Sequence, residues 1–322
     1  MLNVPIQPFA FSFFFPSPIC HLRRPNFRPQ FDVFRFPAHT GHQNHMEEQS
    51  IRQAAEAIAE ADALLISAGA GMGVDSGLPD FRGTHGFWRA YPVIAKLGLS
   101  FAEMANPAWF GENPALAWAF YGHRLNLYRR TVPHPGFRQL LAMGGSKKHG
   151  YFVFTSNVDG QFQRAGFARE RIVECHGSIH HFQCSAPCAD DIWEADAGTV
   201  NINEASFRAL APLPECRNCA GLARPNILMF GDGTWLSHRA DAQQQRFGKW
   251  LDGLAKCSAR LAVIELGAGS AIPTVRHLSE EVLEQISGTL IRINPREYDV
   301  PEGQIALPFG AADGIRKICE CA

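Results

Sequence analysis

Residues 64–83, LLISAGAGMGVDSGLPDFRG, constrain the fold of this chain more than any other stretch. An apolar run of strand character breaks into glycine-spaced turns, and the end of a buried parallel strand is where α/β proteins receive phosphate groups. Gly69 and Gly71 carry no Cβ to hold a pyrophosphate off, so the loop reads as a phosphate cradle. The spacing is not the strict G-x-G-x-x-G fingerprint, because Val74 stands where the third glycine would fall. A bare strand with a glycine-rich turn is the simpler reading. Against it stands Asp80-Phe81-Arg82, which places a carboxylate, an aromatic face and a cation where an ordinary dinucleotide unit is already inside its helix.

The rest of the chain supplies a core for such a unit. With 322 residues and 46% hydrophobic content it can bury one large α/β domain plus a small module. A net charge of −1 gives no electrostatic footprint for nucleic acid. The longest apolar run, residues 9–15, is too short to span a bilayer. A soluble, cytoplasmic protein is expected, with neither nucleic acid nor membrane as partner. Residues 1–45 are rich in Phe, Pro and Arg, have Asp32 as their one acid, and hold no helical or strand period. They are expected to lie outside the fold, either as an organelle-targeting leader or as an extension ahead of a start at Met46.

Strand patterns fall at 63–67, 151–156, 172–175, 226–230, 261–266 and 289–293, and helical patterns at 47–61, 114–130, 136–143, 236–257 and 277–286. Residues 84–107 mix Gly, Trp and Pro and read as a long loop with short helices, suited to covering a ligand. The alternation predicts a Rossmann-type, doubly wound parallel sheet formed by 46–178 and 225–322, with a small module at 179–224. Polar residues follow two of the strands: Asn157-Val158-Asp159 after the second and His176 after the third. A histidine at a strand end suits proton removal near pH 7, although a lone histidine is more often a satisfied core residue.

Of nine cysteines, four form close pairs, Cys184/Cys188 and Cys216/Cys219, a C-x3-C and a C-x2-C separated by 27 residues. Four thiolates fill a tetrahedral zinc and leave no open position, which makes such a site structural. Free buried thiols are the alternative, and either fits a reducing compartment.

Taken together, Gly69-Ala70-Gly71, the run Ser76-Gly77-Leu78-Pro79-Asp80-Phe81-Arg82, Thr155-Ser156-Asn157-Val158-Asp159 with Ala165-Gly166, His176-Gly177, the two cysteine pairs, and Arg224-Pro225 leading to Phe230-Gly231-Asp232 resemble the sirtuin family. The motifs stand in that family's order from about residue 50 to 316. The resemblance implies an NAD-dependent protein-lysine deacylase with a zinc module, in which the acyl oxygen attacks the anomeric carbon as nicotinamide leaves and a histidine then activates a ribose hydroxyl. It implies that Gly69, Ala70 and Gly71 hold phosphate, and that Asp80, Phe81, Arg82, Ser156, Asn157 and Val158 line the nicotinamide-ribose pocket. By the same resemblance Asp159 bonds the carboxamide, His176 is the base, Asn294 meets the adenosine ribose, and Phe230-Gly231 pairs with the substrate peptide as an added strand. Cys184, Cys188, Cys216 and Cys219 would hold zinc.

Three positions depart from the family pattern. Gly73 replaces a serine, Ser156 replaces a glutamine, and the later G-T-S stretch reads Gly267-Ala268-Gly269 with Ser270 one place on. Tyr121 and Arg124 match the Tyr-x-x-Arg pattern of the family's desuccinylases and demalonylases, and at i and i+3 of a helix they face one way. Acylated protein lysines are the expected partners. ADP-ribosyl transfer or NAD hydrolysis by the same pocket, and a non-catalytic NAD-binding module, are the competing expectations.

Overall fold

The computed structural model describes residues 40–79, 83–196 and 198–321, with the side chains of 40–44 and 83–86 left out of the description. The expectations for residues 1–39 and for Asp80-Phe81-Arg82 lie outside the described residues. In chain order the strands are β1 (Ala63–Ala68), β2 (Tyr151–Thr155), β3 (Ile172–Glu174), β4 (Gly177–Cys184), β5 (Trp193–Glu194), β6 (Ile202–Asn203), β7 (Arg208–Ala209), β8 (Ala223–Ile227), β9 (Leu261–Leu266), β10 (Gly288–Ile293) and β11 (Ile305–Leu307). The helices are α1 (Thr40–Glu60), α2 (Gly83–Ala90), α3 (Pro92–Lys96), α4 (Phe101–Met104), α5 (Trp109–Glu112), α6 (Pro114–Arg130), α7 (Pro135–Gly145), α8 (Gln161–Arg164), α9 (His238–Lys256), α10 (Thr274–Gln285) and α11 (Ala311–Cys321).

Six strands form one sheet in the order β11-β10-β9-β1-β2-β3, every neighbouring pair parallel. All six residues of both β1 and β9 are buried, so apart from Ser67 and Glu265 these strands read as apolar runs rather than as alternation. Leu64 and Ile66 join the core under α1, α7 and α11, whereas Ala63 and Leu65 join the core under α9 and α10. Both faces are therefore covered, as the doubly wound reading requires. One charge pair sits inside the sheet. Glu265 of β9 and Arg292 of β10 are register partners, and the guanidinium meets the carboxylate at 2.6 and 3.0 Å.

The second lobe draws on two separate segments. Helices α2–α6 share one hydrophobic core with the cysteine-bearing module, in which Trp118 and Phe120 of α6 lie with Phe182, Trp193, Cys184 and Cys216. Residues 84–107 carry the short helices expected there, α2 to α4, and α4 is held by a capping box between Ser100 and Glu103. These helices fall within the 46–178 segment expected in the nucleotide domain, but they pack with the module. Asn126 of α6 fastens the module's arm by accepting from the Val200 amide at 3.2 Å and donating to the Val200 carbonyl at 2.8 Å.

Other boundaries moved as well. Helix α1 begins at Thr40, so the acids near Glu47 lie beyond its first turn. The strand expected at 226–230 is instead Ala223–Ile227, antiparallel to β4 in a three-stranded sheet β5-β4-β8. Its polar residues explain the shift: Arg224 and Asn226 are buried and bonded, so the strand extends back through them rather than forward along the apolar run.

The four paired cysteines converge, with all four sulfurs within 4.8 Å of one another. A tetrahedron with Zn–S bonds of about 2.3 Å has S–S edges of ~3.8 Å. Cys184 and Cys219 lie 3.8 Å apart and Cys188 and Cys216 3.6 Å apart, so the cluster is positioned to bind a metal ion of zinc's size. Metal analysis of purified protein should give one zinc per chain, and Cys216→Ser should lose it together with soluble yield; folded, zinc-free wild-type protein would contradict this. In the sheet, Arg292→Met strands a buried carboxylate and should cost about 3–5 kcal/mol in urea unfolding. Adding Glu265→Leu should recover most of that loss.

Candidate active site

The chain runs from β1 to β2 and β3 on one side of the sheet and returns as β9, β10 and β11 on the other, so strand order reverses at the β1/β9 boundary. Ligands of doubly wound sheets bind in the crevice outside such a point. Here two loops meet. The Gly69 amide donates to the Leu266 carbonyl at 2.9 Å, and the Gly71 amide to the Gly267 carbonyl at 3.0 Å. A Cβ on Gly69 would lie 2.7 Å from Cα of Ala268, and Gly267 has φ +58, where a side chain is strained. The glycines are therefore required for loop-to-loop approach. The amides of Gly69 and Gly71 both bond to protein carbonyls of the facing loop in this arrangement.

A short 3-10 helix, Ala70–Ser76, continues from this crossing. At Gly73 a Cβ would lie 2.8 Å from Cδ1 of Leu78, a buried side chain. The space a serine would need at that departure from the family pattern is filled by leucine. His134, which sequence reasoning missed, braces the same turn. Its ring Nε2 lies 3.1 Å from the Met72 carbonyl, and its amide donates to Ser76 Oγ at 2.9 Å.

The β2 loop is tied to the β1 loop by two side chains. Thr155 Oγ1 donates to the Ala68 carbonyl at 2.8 Å and accepts from the Asn157 amide at 3.0 Å. Asn157 Nδ2 then donates to the Gly69 carbonyl at 2.9 Å. The Ser156 amide donates to Ala68 as well, at 3.2 Å. Asp159 is buried. Its carboxylate accepts from the Gln161 amide at 2.9 Å, and its carbonyl lies 2.9 Å from His180 Nε2. Burial pushes the Asp159 carboxyl up to about 6; the Gln161 amide opposes this, as does the charge of Arg124, while Glu174 adds to it.

His176 follows β3 and is half-buried. Burial holds its imidazole below the usual range, partly opposed by a hydrogen bond to the Ser156 main chain, so the ring is neutral at pH 7.

On the other wall, Arg224 and Asp232 form a two-pronged ion pair at 2.8 and 2.9 Å with both side chains fully buried. Asp232 also accepts from the Thr234 amide at 3.0 Å, which pins the turn carrying Phe230 and Gly231. Phe230 is 42% exposed, and its ring meets Phe101 edge-on. Its amide donates to the Ala105 carbonyl at 2.9 Å and is not available to an added strand in this arrangement.

Tyr121 and Arg124 are both buried on α6. The guanidinium lies 5.2 Å from the Phe120 ring and 5.8 Å from the Tyr121 ring, and its Nε donates to the Tyr128 hydroxyl at 3.0 Å. Burial works against its charge, but Tyr128, Tyr91 and Tyr121 outweigh that and raise its pKa.

Beyond β9, the Ser270 amide donates to Glu297 at 2.6 Å, a partner sequence reasoning missed. Asn294 is buried, donates to the Ala268 carbonyl at 2.8 Å and accepts from the Arg296 and Glu297 amides at 3.1 Å. The structure thus gathers Gly69, Gly71, Asn157, Gly267 and Asn294 at one crossing, with His176 following the neighbouring strand β3, and sets Tyr121, Arg124, Phe230 and Gly231 in the second lobe.

The chain is similar to known proteins. A family model described as the Sir2 family matches residues 69–246. NAD-dependent protein deacylase 2 of Pyrobaculum aerophilum is 34% identical over 181 residues, 55% of this chain and 62% of that protein. NAD-dependent protein deacylase sirtuin-5, mitochondrial, of Danio rerio is 30% identical over 191 residues, 55% of this chain and 59% of that protein. The chain spans about three fifths of the length of these two relatives. A solved Sir2 homologue in complex with ADP-ribose has a TM-score of 0.61 at 24% identity, covering 84% of this chain and 95% of that one, a likeness of fold. The family model covers more than half of the sequence, from the glycine loop after β1 into α9, and the chain belongs to the Sir2 family.

Proposed function

We propose that this protein is an NAD-dependent protein-lysine deacylase that transfers the acyl group to ADP-ribose with release of nicotinamide. The observation that carries the reading is the meeting of the Gly69 and Gly267 loops at the point where strand order reverses, with Asn157 tying the loop after β2 to them and His176 following the neighbouring strand β3. NAD, when bound, supplies an ADP-ribose acceptor whose bond to nicotinamide is the one that breaks. Gly69 to Gly71, Gly267 to Ser270 and Asn294 would hold its phosphates and adenosine ribose, and Asp80, Phe81, Arg82, Ser156, Asn157 and Val158 its nicotinamide side.

The remaining roles belong to the chain's own groups. A neutral His176 ring can take a hydroxyl proton at pH 7, because burial disfavours its charged form. Asn157 keeps its side chain fixed on the Gly69 carbonyl, which holds the two loops in register. Asp159 presents a buried carboxyl that accepts from a carboxamide when ionised. The ring-lined Arg124 with Tyr121 suits an acyl group ending in a carboxylate, such as succinyl or malonyl. Phe230 and Gly231 would contact the peptide backbone around the modified lysine. A reducing compartment such as the cytoplasm suits the unpaired cysteines.

The test is incubation with NAD and acetyl- or succinyl-lysine peptides, with nicotinamide, deacylated peptide and ADP-ribosylated protein followed by mass spectrometry. Deacylated peptide should appear in step with nicotinamide. Nicotinamide release without deacylation would favour ADP-ribosyl transfer or NAD hydrolysis, and no turnover would favour a binding module. His176→Ala should lower deacylation ~10²–10⁴-fold. Because the unprotonated ring is the active form, activity should fall as pH drops, with a midpoint below the ordinary histidine value of about 6.5. Arg124→Met should lower desuccinylation tenfold or more, about 1.4 kcal/mol, and leave deacetylation nearly unchanged; an equal effect on both would remove the acidic-acyl reading.

A further inference from the structure

Helix α6 carries two functional stripes. Tyr121, Arg124 and Tyr128 recur at i, i+3 and i+7 and form the ring-lined face already described, while His123, Asn126 and Arg130 repeat the same spacing on the adjacent face. That second face borders a cavity of about 400 Å³, closed on one side by α2–α3 and on the other by the β6–β7 arm. The volume lies in the range of small-molecule sites. No group of the nucleotide crevice lines it.

The lining has a direction. Tyr91 and Phe207 form a buried aromatic floor, with their rings 5.7 Å apart. Val93 and Val200 extend the apolar wall. Arg130 and Glu204 line the same cavity and are exposed to solvent. Among the described residues neither forms an ion pair or a side-chain hydrogen bond. Both charges nevertheless act on His123, Arg130 lowering and Glu204 raising its pKa, after burial, which lowers it most. His123 Nδ1 lies 3.1 Å from the Tyr91 hydroxyl, which fixes the ring between floor and rim.

A cavity with an apolar floor and one charge of each sign at its mouth discriminates by charge pattern. A simple carboxylate would meet Glu204, and a simple amine would meet Arg130, each at a cost from the like charge. A ligand bearing both groups on one carbon satisfies both and leaves its side chain for the rings. We propose that this cavity binds a free α-amino acid with an apolar side chain, its carboxylate toward Arg130 and its ammonium toward Glu204. Such a ligand would touch Tyr91, whose ring packs on Phe120 at 5.2 Å, and Phe120 also lies under Arg124.

Isothermal titration of the full chain with L-phenylalanine, N-acetyl-L-phenylalanine and phenethylamine, without NAD or peptide, tests the charge pattern independently of the deacylase reading. L-phenylalanine should bind at least tenfold more tightly than either analogue. Glu204→Gln should erase the preference over N-acetyl-L-phenylalanine, and Arg130→Gln the preference over phenethylamine, each with an unchanged melting temperature. No heat with L-phenylalanine at about 10 mM, an affinity weaker than the millimolar range, would overturn the proposal. Equal binding of all three compounds, or unaltered preferences in both variants, would overturn it too.

Discussion

The whole site depends on two main chains approaching without side chains between them. The loop leaving β1 donates its Gly69 and Gly71 amides to the Leu266 and Gly267 carbonyls at the end of β9, where a Cβ on Gly69 or Gly267 would strike backbone rather than a movable side chain. Backbone atoms cannot yield as a rotamer can, so this distance is set by the fold itself. Once it is set, the Asn157 amide has a carbonyl at a fixed place to donate to, and Thr155 can bridge β2 to β1. The order at the crevice therefore arises from three strands being parallel neighbours, and the polar side chains transmit it toward His176.

The other wall is held by a different kind of force. Arg224 and Asp232 are entirely buried, so their attraction is offset by a large desolvation cost. What the pair supplies is geometry, because two parallel bonds from a planar guanidinium admit one orientation of the turn that follows. Phe230 and Gly231 inherit that orientation. Together with the four-cysteine cluster, this makes the second lobe a structure stapled by polar and sulfur groups around one aromatic core.

The parts readable from sequence were those whose information is local. Helix α6 was legible to the residue, because Pro114 occupies its first turn after Asn113, whose side chain caps the Leu116 amide. Strand β9 was legible because a strand buried on both faces is apolar at nearly every position, Glu265 being the exception. Strand β11 was missed, since a three-residue strand offers no period to detect, whereas helix α11 was missed although Ala311, Ile315 and Ile318 recur at helical spacing. The site was legible as residue types and less so as contacts. Asn157 reaches Gly69 across 88 positions, and nothing near either residue encodes that bond. Gly69 and Gly71 stand out in the sequence because they permit close approach, and the loop after β9 is what approaches them here, a partner about 200 residues distant that nothing local encodes.

Helix α6 faces three ways at once: toward the buried arginine and its rings, toward the cavity lined by His123, and toward Val200 of the module's arm. Ten of its residues are buried, and Asn126 spends both ends of its amide on the arm. A helix committed on several sides has almost no neutral positions, so a change on one face must be absorbed by its neighbours on another. The ring-lined arginine, the grip on the module's arm and the second cavity are therefore inherited as a single block, and in a chimera they would move with this one helix or not at all.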